Sequence, residues 1–263
     1  VIFGDYVYRT DRELLDGNDQ STIAHELFHH WFGDLVTSES WSNLPLNESF
    51  ANYSQYLWDE YRYGRDEADF QAEGEASTYY NVSSMSGYHD LIWFDYQDKE
   101  DMFDVHSYNK GGRILHMLRN HLGDDAFFAG LNLYLTENKF KPAEFHQLRL
   151  AFEEVSGQDL NWFFNQWFLA SGHPVLEFTQ EIDSTNNVLN ITVQQTQDLF
   201  ESPVYRLPFT IAVYDDLGTH LYPIVVDKVV QEIALPFEGK LNSFVYDVDQ
   251  MLLGKKTINK SKE

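Results

Sequence analysis

The 263-residue chain contains no cysteine. Disulfides, thiolate metal sites and thiol nucleophiles are excluded, and both a reducing bacterial cytoplasm and a cell-envelope protein without bridges fit. Positive charge is scarce: 18 Lys and Arg stand against 42 Asp and Glu, a net charge of -24. Such a field repels nucleic acid and anionic membrane surfaces, so neither is expected as a partner. A hydrated surface accounts for the acidity. No apolar run approaches the roughly 20 residues that cross a bilayer, so no membrane insertion is expected. The opening VIFGDYVYRT lacks an initiator Met, a basic segment and an apolar signal core. It reads as a piece of a longer protein, or as a mature product without its leader.

What is present describes a folded protein. Hydrophobic residues make up 43% and aromatics 16%, enough for a sizeable core and too much for disorder. Through the first two thirds, apolar residues recur at three and four positions, which predicts helices over 21–36, 46–63, 71–80, 108–122, 124–138, 143–155 and 160–170. Ile114, Leu115, Leu118 and Leu122 mark one stripe, Gly123 stops it, and Asp124 and Asp125 open the next helix. Beyond Pro174 the period becomes two. Leu176, Phe178 and Ile182 share a face, as do Leu189, Ile191 and Val193, and then Tyr205, Leu207, Phe209, Ile211 and Val213. A turn at DDLG brings back Tyr222, Ile224 and Val226, and Val245 lies in a closing strand. About six short strands in this span predict a small β-sandwich. The expected organisation is a multidomain α and β chain: a mainly helical part over 1–172, a β-sandwich over 173–254 and a loose polar tail over 255–263.

The chemistry gathers in AHELFHHWFG and LPLNESFANY. In a helix, His25 and His29 face the same way, one turn apart. Ile23, Leu27 and Trp31 form an opposing stripe expected to bury, with Glu26 between the two. Two neutral imidazoles so placed suit zinc, and the HExxH pattern is a general signature of zinc peptidases. A catalytic zinc needs a third protein ligand, and Glu48 on the next helix is the candidate. There Phe50, Tyr53 and Leu57 make a stripe for the core, while Asn47 and Asn52 are expected to act nearby as hydrogen-bond partners of the ligands. Glu26 beside such a metal is placed as general base. His30 points about 100° from His29. His89, His106, His116, His121, His146, His173 and His220 show no pairing pattern, Lys110 reads as an exposed helical lysine, and Trp162, Phe163, Phe164, Trp167 and Phe168 read as core. Asn-x-Ser/Thr triplets begin at Asn47, Asn52, Asn81, Asn190 and Asn259. A glycan beside Glu48 would block it, so they read as chance in a bacterial protein.

HELFH, eighteen residues and then Glu48 resemble the gluzincin zinc peptidases of the aminopeptidase N family, and HWFGDLVT and LNESFANY are similar to that family's wording. SYNKGGRILHML resembles the family's Tyr-x-Lys-Gly segment, which implies a catalytic tyrosine at Tyr108. GQDLNWFFNQWFLASGHPVLEF is similar to the close of the family's catalytic domain and the entry to a β-sandwich, so the likeness spans 1–254. It implies a thermolysin-like catalytic domain and one zinc per chain on His25, His29 and Glu48. It further implies Glu26 as general base, Tyr108 as oxyanion donor, and a peptide substrate cut at its amino terminus by the intact parent. The family also carries a Gly-x-Met-Glu-Asn segment whose glutamate holds the substrate amine. This sequence contains none, and by family spacing it falls just before Val1. The resemblance thus implies that an N-terminal portion of the parent is missing, and no amine-binding residue is carried over. Two other readings stand: a hydrolase of the same scaffold acting on a non-peptide or endopeptidic substrate, and a binding or scaffold module that has lost activity.

Overall fold

The computed structural model describes residues 3–259. The chain divides between Leu169 and Ala170 into two compact units, a few residues ahead of Gly172, near which the boundary was expected.

The first unit is mainly helical. It runs α1 (Gln20–Phe28), β1 (Val36–Ser38), α2 (Pro45–Tyr63), α3 (Arg65–Ser86), a π-helical turn (His106–Lys110), α4 (Gly111–Leu122), α5 (Asp124–Asn138), β2 (Lys141–Ala143), α6 (Phe145–Ser156) and α7 (Asn161–Trp167). β1 and β2 pair in parallel. Helix α2 starts on Pro45, whose fixed φ and missing N–H suit a first helical position. Its Phe50 and Tyr53 are buried as the periodicity predicts. Ile114, Leu115 and Leu118 of the α4 stripe are buried too, and so are Phe163, Phe164, Trp167 and Phe168, whereas Leu122 and Trp162 are only half-buried. Among the described residues no helix is long and apolar enough to cross a membrane.

Three expectations need correcting. The first predicted helix does not reach Val36 but ends at Phe28. Beyond it the amides of Asp34, Leu35 and Val36 bond to the carbonyls of His29, His30 and Trp31, and the chain turns at Gly33. Gly33 has φ +144, and a Cβ there would stand 3.0 Å from the His29 carbonyl, so the turn excludes a side chain. Second, Ile23, Leu27 and Trp31 are 36%, 47% and 49% exposed. The reason is that α1 meets α2 through polar groups: Ser21 Oγ donates to Asp59 Oδ1 at 3.0 Å, and His25 and His29 face Glu48. Its apolar stripe is therefore turned outward. Third, Tyr108 precedes α4 and lies in the π turn, a device that recurs at functional sites.

The π turn and the start of α4 sit tightly on α2. A Cβ on Gly111 would fall 1.8 Å from Ser49 Oγ, and one on Gly112 would fall 2.3 Å from Asn52 Oδ1. Ser49 Oγ donates to the Ser107 carbonyl at 2.7 Å in a buried contact. The residue after Glu48 thus clamps the residue before Tyr108.

The second unit has two sheets. β3 (Val175–Asp183), β4 (Val188–Gln195), β7 (Val230–Pro236) and β9 (Lys255–Asn259) form one in the order β7-β4-β3-β9; β5 (Leu207–Asp215), β6 (Gly218–Val226) and β8 (Leu241–Val245) form the other in the order β6-β5-β8. Leu176, Phe178, Leu189, Ile191, Val193, Leu207, Phe209, Ile211 and Val213 are buried in the predicted register. The Phe178 ring reaches Phe209 at 6.4 Å and Tyr246 at 4.1 Å between centroids. Ile182 departs from the pattern, being 49% exposed near the end of its strand. The stretch 255–263 is not wholly a loose tail. Lys255–Asn259 adds a parallel strand to β3, and Lys256 Nζ pairs with buried Asp247 Oδ2 at 2.5 Å. Residues 260–263 of that stretch lie outside the described residues.

The α2–α4 clamp is directly testable. Gly111→Ala drives a methyl into a buried, hydrogen-bonded serine, and overpacking of this kind costs about 1–3 kcal/mol. Urea unfolding should show that loss. An unchanged midpoint would mean that the two helices are free to separate.

Candidate metal centre and active site

The structure brings His25, His29 and Glu48 together. His25 comes from α1, His29 from the first position past it, and Glu48 from the first turn of α2. The Nε2 atoms of both histidines lie 3.5 Å from Glu48 Oε2, and ligand atoms of the three residues all fall within 4.8 Å of one another. A spacing of 3.5 Å is too long for an N–H···O bond. It is close to the separation, about 3.3 Å, of two donor atoms on one tetrahedral zinc.

The far nitrogens of the rings carry the same message. His29 Nδ1 is 3.1 Å from the Phe32 carbonyl, which can only accept. The proton therefore sits on Nδ1, and a lone pair on Nε2 faces Glu48. His25 Nδ1 is 3.3 Å from Gln55 Oε1. Glu48 Oε2 is buried and has no hydrogen-bond partner. A buried carboxylate oxygen facing imidazole lone pairs is costly unless a cation lies between them. The donor set therefore fits a zinc ion by both spacing and chemistry.

The ionisation of the site follows from this crowding. Burial raises the Glu48 pKa, but in the metal-free chain the two histidines, as imidazolium donors, outweigh it and bring the carboxyl to about 2. Burial lowers His29, while Glu48, the Phe32 carbonyl and Glu26 raise it, with a net upward shift. Tyr108 is pushed up by burial first, then by the Glu48 and Glu26 charges. The charge of Glu26 thus raises both His29 and Tyr108. The Tyr108 ring lies parallel to that of His25, with 3° between planes and centroids 6.0 Å apart.

Other residues distribute differently from expectation. Asn47 bonds to Ser38 Oγ at 3.4 Å rather than to a histidine or Glu48. Asn52 acts one step removed: its Nδ2 lies 3.3 Å from Gln55 Oε1, and Gln55 is the residue against His25. Gln55 was missed in the sequence, although its place two turns after Glu48 on the same helix was a readable signal. His30 stays outside, 3.4 Å from exposed Asp34. Lys110 is not exposed but fully buried, and burial lowers it to about 8 against the opposing pull of Asp90 and Asp104.

A second cluster was also missed. His89 Nε2 and His106 Nδ1 both reach Asp104 Oδ2, at 2.9 and 2.5 Å. These are hydrogen-bond lengths, and they describe a carboxylate receiving protons. Burial raises Asp104, but the two histidines outweigh it and hold the carboxyl well below its ordinary range. Asp104 Oδ1 also accepts from the amides of His106 and Ser107, at 3.0 and 3.1 Å. It thereby fixes the entry to the turn that carries Tyr108.

Two histidines on an HExxH helix and a glutamate from a second helix are the residue types of a signature found in metal-dependent hydrolases. Comparison with known proteins narrows it. The peptidase family M1 domain matches residues 9–167. The chain is 30% identical over 240 residues to a probable aminopeptidase 1 of Sulfurisphaera tokodaii, covering 88% of this chain and 29% of that protein. It is 34% identical over 193 residues to Tricorn protease-interacting factor F2 of Thermoplasma volcanium, covering 69% of this chain and 23% of that protein. Its fold is similar to the crystal structure of Legionella pneumophila aminopeptidase A in complex with aspartic acid, with a TM-score of 0.72 and 19% identity over 98% of this chain and 29% of that one. The chain belongs to peptidase family M1, and it spans less than a third of the length of these relatives.

The electrostatics give a pH prediction. Glu48 is depressed from 4.5 to about 2, so its contribution to the metal-free fold is complete above 4.5 and is lost as pH falls towards 2. Thermal midpoints of metal-free Glu48→Gln should depend less on pH across that window than those of the parent chain. Equal slopes would show that the histidine–glutamate contact adds nothing.

Proposed function

We propose that this chain is the zinc-bearing part of a peptidase that hydrolyses peptide bonds and, in the intact protein, removes amino-terminal residues. The first unit is read as a thermolysin-like catalytic domain. The second is read as a β-sandwich, in keeping with the Phe178 contacts to Phe209 and Tyr246. The observation that carries the proposal is the unpartnered Glu48 Oε2, faced at 3.5 Å by two imidazole nitrogens. His25, His29 and Glu48 would hold one zinc. Bound there, the metal would supply positive charge that acidifies a water and polarises the scissile carbonyl.

The remaining work falls to the chain. Glu26 takes the proton of the attacking water and returns it to the leaving amine. Tyr108 donates its phenolic O–H to the carbonyl oxygen as negative charge develops there. Its raised pKa suits that task, because the phenol stays protonated and able to donate at neutral pH. The parallel packing on His25 holds the ring beside the ligands.

Metal content and rate, measured together, test Glu26. Elemental analysis should find one zinc per chain in the parent and in Glu26→Gln, and little in His25→Ala. Turnover of aminoacyl anilides should fall in Glu26→Gln by at least about 10²-fold, because an amide cannot carry the proton. Normal turnover at full zinc content would remove Glu26 from this role.

Tyr108→Phe isolates one hydroxyl. The ring stays packed, so stability should barely change, whereas kcat should fall by about 10²–10³ with little effect on KM. A rise in KM at constant kcat would instead make Tyr108 a substrate-binding group.

A further inference from the structure

Between α2, α3 and the π turn lies a hydrogen-bonded path that the proposed peptide hydrolysis does not use. Glu75 on α3 accepts from two amides on different elements: Asn52 Nδ2 of α2 at 3.3 Å, and Asn109 Nδ2 of the π turn. Asn52 Nδ2 is also 3.3 Å from Gln55 Oε1, which lies 3.3 Å from His25 Nδ1. Asn109 is the residue after Tyr108. One carboxylate therefore closes a path from a metal-ligand candidate to the neighbour of the oxyanion donor.

The path has a direction, and Glu75 sets it. A side-chain amide can present either its oxygen or its nitrogen to a neighbour, and a neutral imidazole can carry its proton on either nitrogen. A carboxylate only accepts. Asn52 must therefore turn its NH₂ to Glu75, and the second hydrogen of that NH₂ falls to Gln55. Gln55 must then offer oxygen, and that oxygen takes its other hydrogen from His25 Nδ1. His25 Nε2 is left with a lone pair aimed at Glu48, as a metal ligand requires. Glu75, Asn52 and Gln55 line a cavity of about 610 Å³, so the orientation of Glu75 and Gln55 is left to the hydrogen bonds, while Asn52 also lies with its Oδ1 against Gly112.

We propose that Glu75 is a positioning residue for this site: its carboxylate fixes the tautomer of His25 through Asn52 and Gln55, and anchors the turn of Tyr108 through Asn109. The proposal rests on His25, His29 and Glu48 being the metal ligands. Glu75→Gln is the sharpest probe, because it keeps size and fold but can present either an oxygen or an NH₂.

Zinc affinity by competition with a chromophoric chelator, thermal midpoints, and the His25 tautomer by nitrogen NMR of the metal-free chain are measured on the parent, Glu75→Gln, Glu75→Ala, Gln55→Ala and the Gln55→Ala/Glu75→Ala double variant. His25 is assigned by difference from His25→Gln. Loss of such an outer partner weakens metal binding by about 10–100-fold. Glu75→Gln should therefore bind zinc at least about tenfold more weakly at an unchanged midpoint. Its His25 should become a mixture of tautomers, and the double variant should lose no more than the weaker single variant, since both act along one path. Glu75→Gln with parental affinity, within twofold, and parental His25 tautomer would overturn the proposal. So would fully additive losses in the double variant. Should Glu75→Ala fail to fold, Glu75→Gln decides alone. Should the parent take up no zinc, the ligand assignment fails instead, and the His25 tautomer still judges Glu75.

Discussion

The buried oxygen of Glu48 organises the first unit. It accepts no hydrogen bond, and it faces two imidazole nitrogens at 3.5 Å. With neutral imidazoles facing it, such a group is unfavourable, because desolvation is then not repaid by a proton or a partner. A protein keeps an arrangement of this kind when something else completes it. A charge that is positive and small enough to meet three donors at once, as a metal ion is, would complete it.

Helix α2 is the element through which this constraint spreads. Its first turn presents Glu48, the next residue clamps the Ser107 carbonyl, and Asn52 and Gln55 follow along the same helix. α1 and the residue after it present Ser21, His25 and His29 to it, and Phe28 reaches it through Phe32 stacked on Phe50. α4 approaches it at two glycines. The phenol of Tyr108 therefore owes its place beside His25 to a steric fact at the α2–α4 contact: α4 starts on two glycines, which have no side chains. The network of His89, Asp104 and His106 secures the other side of the same turn.

Much of this was legible in the chain. HELFH placed two histidines on one face, LPLNESFANY offered a carboxylate on a following helix, and the apolar stripes of α2 and α4 were buried except at Leu57 and Leu122, which are half-buried. Other features were not legible, each for a physical reason. Helical periodicity continued past Phe28, but Gly33 and the turn it permits end the helix early. The stripe of Ile23, Leu27 and Trp31 was read as core because apolar spacing reports which residues share a face, not what lies opposite. Lys110 carries a charge that argues for the surface, yet the π turn directs it inward near Asp90 and Asp104. Glu75 and Gln55 look like ordinary helical polar residues until their partners on other elements are known.

The sequence by itself determined what depends on local spacing: which residues share a helix face, where β alternation replaces helical periodicity, and which donor atoms a metal could find within one turn. It also carried the family, through motifs that are contiguous in the chain. Only the tertiary structure decided what depends on groups distant in sequence. It brought Glu48 to the histidines and Tyr108 to His25, turned the α1 stripe outward and gave Glu75 its two amides. Short-range spacing is fixed by the dihedral angles of one element. Which elements meet, and at what distance, is fixed by side-chain volume and by the need to satisfy buried polar groups, and neither has a period that can be read along a single chain.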